Sequence, residues 1–239
     1  MKNRLSILLA ILLGATACNQ RSRDHKQSIE VITDPKKAML TPVEFRKQWL
    51  IEPKDSLVSY TAEELQASFF GLPTKQFLKE AGLPASAPPF LSFNEKLYSP
   101  VLQNVKQYYK LQGEDFASYY VIGSEGGGDV ICIDTKNQDQ VIILSSDHIH
   151  TVDNEEEQDY HPQFVPVMFM NSSIHQLAQC LLVYRNFVSR IRAEHNGESF
   201  VEITPSADAL AKLAEELAAV DLQSIKEKSF WWYQIQEHK

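Results

Sequence analysis

Tyr119-Tyr120-Val121-Ile122-Gly123-Ser124-Glu125-Gly126-Gly127-Gly128-Asp129-Val130-Ile131-Cys132-Ile133-Asp134 is the stretch on which the fold turns. Both flanks are aromatic or β-branched, which suits a pleated, half-buried surface, and the residues between them are Ser, Glu and Gly. The pattern predicts two strands joined by a tight turn at Gly126–Gly128, with glycines supplying positive φ. A phosphate-binding loop would need a helix after the glycines, because the helix N-terminus supplies the N–H donors. Here a strand-forming run follows, with no Lys-Ser or Lys-Thr pair, so the glycines are read as turn residues and no nucleotide cofactor is expected.

The strand pattern continues on both sides. Phe90–Phe93, Tyr108–Gln112, Ser118–Gly123, Asp129–Asp134 and Gln140–Ser145 read as short strands, with a further candidate at His148–Val152, together an antiparallel meander. Upstream, Thr41-Pro42-Val43-Glu44 is a capping box that opens a helix reaching about Leu50. Thr61-Ala62-Glu63-Glu64 opens a second helix. Pro73 opens a third, Thr74 to Ala81, ended by Gly82 and Pro84, and Pro84, Pro88 and Pro89 then carry an extended segment. Downstream, Asn171 or Ser172 is placed as the cap of a long helix whose apolar positions Ile174, Leu177, Leu181, Tyr184, Val188 and Ile191 keep a period near 3.6. Ser206 caps another helix, with Ala209, Leu210, Leu213, Leu217 and Val220 on one face. Ser229-Phe230-Trp231-Trp232-Tyr233 reads as a docked terminal helix. Helices, then strands, then helices make an α+β fold, with a mostly antiparallel sheet flanked by helices.

The 239 residues are 44% hydrophobic and 23% charged, a globular composition that sets aside disorder and a multi-pass membrane chain. The net charge of −8 argues against nucleic acid as a partner, since that affinity rests on clustered cations.

The N-terminus is a separate case. Lys2 and Arg4 precede the apolar run Leu5 to Leu13, small residues follow from Gly14 to Ala17, and Cys18 comes next. This is the layout of a secretory signal, and the 13 residues from Leu5 to Ala17 fall short of the ~20 needed to span a bilayer. The placement of Cys18 resembles the lipobox of bacterial lipoproteins, in which that cysteine is acylated and becomes the mature N-terminus. Ala15 departs from the usual Leu, and an ordinary secretory signal is the competing reading. Asn19, rather than Asp, after the cysteine matches outer-membrane sorting in a Gram-negative envelope. Removal of residues 1–17 would take the net charge from −8 to −10, by loss of Lys2 and Arg4. The expected organisation is a lipoprotein signal peptide over 1–17, a polar tether over 18–40, and one α+β domain over 41–239, lipid-anchored at the cell envelope.

Other motifs weigh less. His148 and His150 would share a face on a strand and, with Asp147, Asp153 and His161, could approach a divalent ion. There is no HExxH motif and no paired CxxC, so no metal is expected. Cys132 and Cys180 would form either a disulfide or two buried thiols. No GxSxG elbow or cysteine-protease signature occurs. The acidic run Asp153, Glu155, Glu156, Glu157 and Asp159 is either a solvated loop or a docking surface for a basic partner.

Gly82-Leu83-Pro84, Tyr119 to Ser124, the glycine turn, Asp129 to Asp134, Val141, the Asn171-Ser172-Ser173 helix start, Cys180-Leu181 and Trp231 occur in an order that resembles the SUKH superfamily of bacterial toxin-immunity proteins. The resemblance covers roughly Thr61 to Tyr233. It implies a non-catalytic, cofactor-free protein whose partner is a polymorphic protein toxin, often a nuclease or nucleic-acid deaminase. It also implies that Gly123, Gly128, Asp129, Asp134 and Asn171 serve turn and cap geometry. The lipoprotein leader is a departure, since many members of this class are cytosolic. Two alternatives stay open: an envelope-anchored binding or scaffold lipoprotein without a toxin partner, and a hydrolase whose site is invisible in sequence.

Overall fold

The computed structural model describes residues 40–93, 102–111, 114–150 and 165–238, with the side chain of His150 excepted. The compact unit Ala38–Lys239 contains all of them. Cys18 and the acidic residues Asp153, Glu155, Glu156, Glu157 and Asp159 lie outside the described residues, as does His161.

Three helices come first: α1 (Pro42–Trp49), α2 (Ala62–Ala67) and α3 (Leu72–Glu80), with the two-residue strand β1 (Leu57–Val58) between α1 and α2. Thr41 and Thr61 each complete a reciprocal capping box, with Glu44 and Glu64 as the partners three residues on. The chain then runs through β2 (Leu83–Pro84), β3 (Ser86–Ala87), β4 (Leu91–Ser92), α4 (Val105–Tyr109), β5 (Tyr119–Ser124), β6 (Val130–Asp134), β7 (Gln140–Leu144), α5 (Ser146–His150) and β8 (Val167–Asn171). It closes with α6 (Ile174–Glu194), α7 (Ala207–Val220) and α8 (Phe230–Gln236). β1 and β2 pair by themselves, while β3 to β8 form a six-stranded antiparallel sheet in sequence order. The fold is α+β.

Side chains of the central strands alternate between two cores, as the two-residue period of a strand requires. Ile122, Ile131, Ile133, Val141 and Ile143 join α1, α3, α6, α7 and α8 in the larger core, where Phe45, Phe77 and Trp231 are fully buried. Val121, Val130, Cys132, Ile142 and Leu144 face the other way, onto Val105, Leu111, Phe116, Ile149 and Val165. Every residue of β6 is buried because both faces of the sheet are covered. Cys132 and Cys180 therefore sit in different cores on opposite faces of the sheet, and both are free thiols. Burial pushes the Cys180 thiol up to about 12 and raises that of Cys132 well above its ordinary value, so both remain protonated and inert.

Several expectations are corrected. The strand expected at Tyr108–Gln112 does not begin there: Tyr108 and Tyr109 end helix α4, which Asn104 starts through a capping box with Gln107, and Gln112 lies outside the described residues. A local cap outweighs the strand propensity of two tyrosines, and Lys110 stops the helix at φ +57. His148 lies on helix α5 rather than on a strand, because the Asp129 carboxylate takes the Ser146 backbone N–H at 2.8 Å and its hydroxyl at 3.2 Å. The two-residue face shared by His148 and His150 is thereby removed, since residues two apart do not share a helix face. Among the described residues no three His, Cys, Asp or Glu side chains gather as a metal site. The third helix begins at Leu72, with Gly71 at its N-cap. The sequence reading missed β8, and the cap of α6 is Ser173 rather than Asn171 or Ser172.

Asn171 is instead the centre of a buried lock. Its amide donates to Asp221 Oδ2 and Cys180 Sγ, both at 3.3 Å, and its carbonyl accepts from Trp231 Nε1 at 3.0 Å. Asp221 in turn accepts from the Ser172 N–H at 2.7 Å, the Ser172 hydroxyl at 3.0 Å and the Gln223 N–H at 3.1 Å. The sheet edge, α6, the end of α7 and α8 are joined by one fully satisfied polar cluster.

Candidate functional site

The residues of the glycine hairpin part into structural and site-forming roles. Glu125 N–H donates to the Asp129 carbonyl and Gly128 N–H to the Glu125 carbonyl, both at 2.9 Å, closing the turn. Gly128 has φ +96, a conformation that strains any residue with a Cβ. Gly123 sits at the bulge where β5 shifts register against β6. Asp134 is buried and closes the next turn, accepting from the Lys136 N–H at 3.0 Å and the Asn137 amide at 2.6 Å. Asp129 starts α5, as described. Their polar atoms are thus taken up by backbone and turn.

Gly126 is different. A Cβ there would stand 2.9 Å from the Cβ of Phe90, so the glycine makes room for that side chain. Phe90 follows Pro88 and Pro89 at φ +67 and is 70% exposed. A bulky residue in the left-handed region costs about 1–3 kcal/mol, and so little burial does not offset it. Strain of this kind gathers at ligand clamps.

Phe90 and Gly126 form one lip of a groove of about 1190 Å³. Its floor is a stripe of α6, where Tyr184, Val188 and Arg192 recur at four-residue spacing beside Arg185. The segment after α1 supplies Glu52, Lys54 and Asp55, and Val201, Glu237 and His238 also line the groove. Arg185 and Asp55 pair at 2.7 Å with side chains only 11% and 9% exposed. The guanidinium also donates to the Trp49 carbonyl and lies over the Trp49 ring at 4.7 Å. Burial alone would raise the Asp55 carboxyl; hydrogen bonds from Arg185 and the Glu52 and Ile51 N–H groups, with the Arg185 charge, hold it below its ordinary value.

The Tyr184 hydroxyl is buried with no hydrogen-bond partner. Burial, reinforced by the Glu237 carboxylate, pushes its pKa up, so it stays a neutral phenol. An unsatisfied buried hydroxyl costs about 1–3 kcal/mol, and this one borders a groove. The sequence reading took Tyr184 only as a core position and did not single out Phe90, Arg185 or Asp55. One local signal was available: Arg185 interrupts the run Leu181-Leu182-Val183-Tyr184, a charge placed beside an apolar stripe.

The sequence model of the SUKH-4 immunity protein family matches residues 52–238. The chain belongs to this family. The match runs from the segment after α1 to the end of α8, and so takes in the buried lock and the groove's lining apart from Trp49. No curated protein and no solved structure matches the chain. Among the described residues, no helix is long and apolar enough to cross a membrane.

Proposed function

We propose that this SUKH-4 protein is a non-catalytic immunity protein that binds and neutralises a polymorphic toxin, held at the cell envelope by acylation of Cys18. The family match over residues 52–238 carries the immunity part of this reading. The disposition of the buried acids supports its non-catalytic side: Asp134, Asp139 and Asp221 each accept from backbone N–H groups, of Lys136, Gly71 and Ser172 in turn. A general acid or base needs a proton free to move to substrate, and these carboxylates are occupied in holding the fold.

The net charge of −8 fits a toxin that handles nucleic acid, a nuclease or a deaminase, since such a protein presents a basic face to phosphates. In this reading Asp153, Glu155, Glu156, Glu157 and Asp159 attract that face over a distance and speed encounter. Anchoring follows from the charged start, apolar run and small residues directly before Cys18. One acyl chain binds a membrane marginally, so firm attachment calls for more than one.

The test is a pull-down with the full chain from its source cells, followed by co-expression with the toxin that co-purifies. The toxin alone should arrest growth, the pair should grow, and the two proteins should co-purify. Growth arrest that persists, with no complex formed, would overturn the immunity reading and leave an envelope-anchored scaffold as the account. Cys18→Ser should release the protein from membrane fractions, and unchanged retention with normal processing would overturn the anchor.

A further inference from the structure

We infer that the groove beneath Phe90 is the toxin-docking site, and that it receives a protruding toxin loop bearing an arginine. This rests on the immunity reading above. Charge in the groove is the first support. Lys54 pairs with Glu52 at 3.0 Å and Arg185 with Asp55 at 2.7 Å, which removes two cations and two anions from play. Among the described residues, Glu125 accepts only backbone N–H groups, from Gly127 at 2.7 Å and Asp129 at 3.4 Å. Glu237 also lines the groove and makes no ion pair among the described residues. Against these two free carboxylates stands Arg192, whose guanidinium donates to the Glu198 carbonyl at 3.2 Å and the Gly197 carbonyl at 3.4 Å. His238 is the remaining titratable group lining the groove. The surplus is negative, in a chain that is negative overall.

Shape and strain are the second support. Phe90 and Val201 are 70% and 64% exposed and both line the groove, giving an apolar surface at its rim. Tyr184 lines the same groove, and its buried hydroxyl lacks a partner. Guanidinium fits these features together. Its planar face stacks on an aromatic ring such as Phe90, and its five N–H donors suit carboxylate oxygens and the lone pairs of a phenol. An ammonium offers charge without the stacking plane. Desolvated central contacts of this kind carry most of the energy of an interface, and a side chain already held in place loses little entropy on binding.

The experiment uses the full chain and the purified toxin identified by the pull-down and co-expression above. Glu125→Gln with Glu237→Gln should weaken the complex roughly tenfold at about 50 mM salt, with a smaller loss at about 500 mM. Tyr184→Phe should weaken it roughly fivefold while leaving the melting temperature equal or higher, because the deleted hydroxyl was unsatisfied. Millimolar N-acetyl-arginine amide should compete with the toxin, and N-acetyl-citrulline amide, which lacks the charge, should not. Wild-type binding and protection with all variants within about twofold would overturn the groove and leave the immunity reading standing. Competition by N-acetyl-glutamate amide instead would overturn the arginine loop, since Arg192 would then be reading an acidic partner. A wild-type chain that neither binds nor protects would overturn the immunity reading itself, and the groove's toxin with it.

Discussion

The lock around Asn171 and the groove around Phe90 both draw on the long helix α6, through Cys180 and through Tyr184 and Arg185, and spend their polar groups in opposite ways. In the lock, Asn171 and Asp221 use their side-chain oxygens and nitrogen on one another, on Trp231, on Cys180 and on neighbouring backbone. In the groove, a buried tyrosine hydroxyl has no partner, an exposed phenylalanine sits at positive φ, and two carboxylates have no cation partner among the described residues. A satisfied cluster supports stability. An unsatisfied one carries a standing cost that a ligand can relieve, and the contrast therefore separates scaffold from surface.

The largest effect should come from breaking the lock. Trp231→Ala empties a fully buried indole site and strips the Asn171 carbonyl of its donor, so denaturant unfolding should show a loss of about 4 kcal/mol. A loss below about 1 kcal/mol would mean the lock is not what holds α8 to the sheet.

Asp55→Asn comes next. It leaves the guanidinium of Arg185 largely buried without its counter-charge, with an expected loss of about 3 kcal/mol. The pH dependence has a definite sign. The folded Asp55 carboxyl titrates below its unfolded value, so the pair's stabilisation is complete above about pH 4 and is lost as pH falls through the lower folded value. Melting curves on the acid side should steepen for the wild type and flatten for Asp55→Asn. Parallel acid limbs would remove Asp55 from the groove's support.

The hairpin sharpens the comparison on a smaller scale. Gly128→Val should cost about 2 kcal/mol, because φ +96 is strained for a β-branched residue. Gly127→Ala should cost under about 0.5 kcal/mol: Gly127 has no positive φ, and its new Cβ would meet only the movable end of the Glu125 side chain, at 2.5 Å. Equal melting temperatures for the two variants would contradict the assigned turn.

Phe90→Gly should act in reverse, raising stability by about 0.5 kcal/mol by relieving backbone strain while weakening toxin binding. A variant that loses stability would show Phe90 to be a core residue and erase the contrast. The smallest stability effect, within about 0.5 kcal/mol, belongs to replacing Glu155, Glu156 and Glu157 with Gln. Its signature is kinetic: association should slow several-fold at low salt, with the difference fading as ionic strength rises. Equal rates at low salt would leave that run without a part in docking.

Much of this protein was decided within a few residues of chain. The capping boxes at Thr41 and Thr61, the cap at Ser206, the apolar period of α6 and the glycine hairpin are local devices, complete within about one helical turn or one tight turn, so the sequence alone determined them and the α+β class with them. Tertiary structure decided what depends on residues far apart. Asp129 holds Ser146 from 17 residues away and so sets His148 in a helix rather than a strand. Asn171, a plausible cap by spacing, is claimed by Asp221 and Trp231, 50 and 60 residues downstream. Arg185 finds Asp55 across 130 residues, and Phe90 finds its glycine across the sheet. Local signals act through the backbone and survive in any context that leaves the segment intact. A groove exists only where distant segments meet, and no window of sequence contains the distance between them.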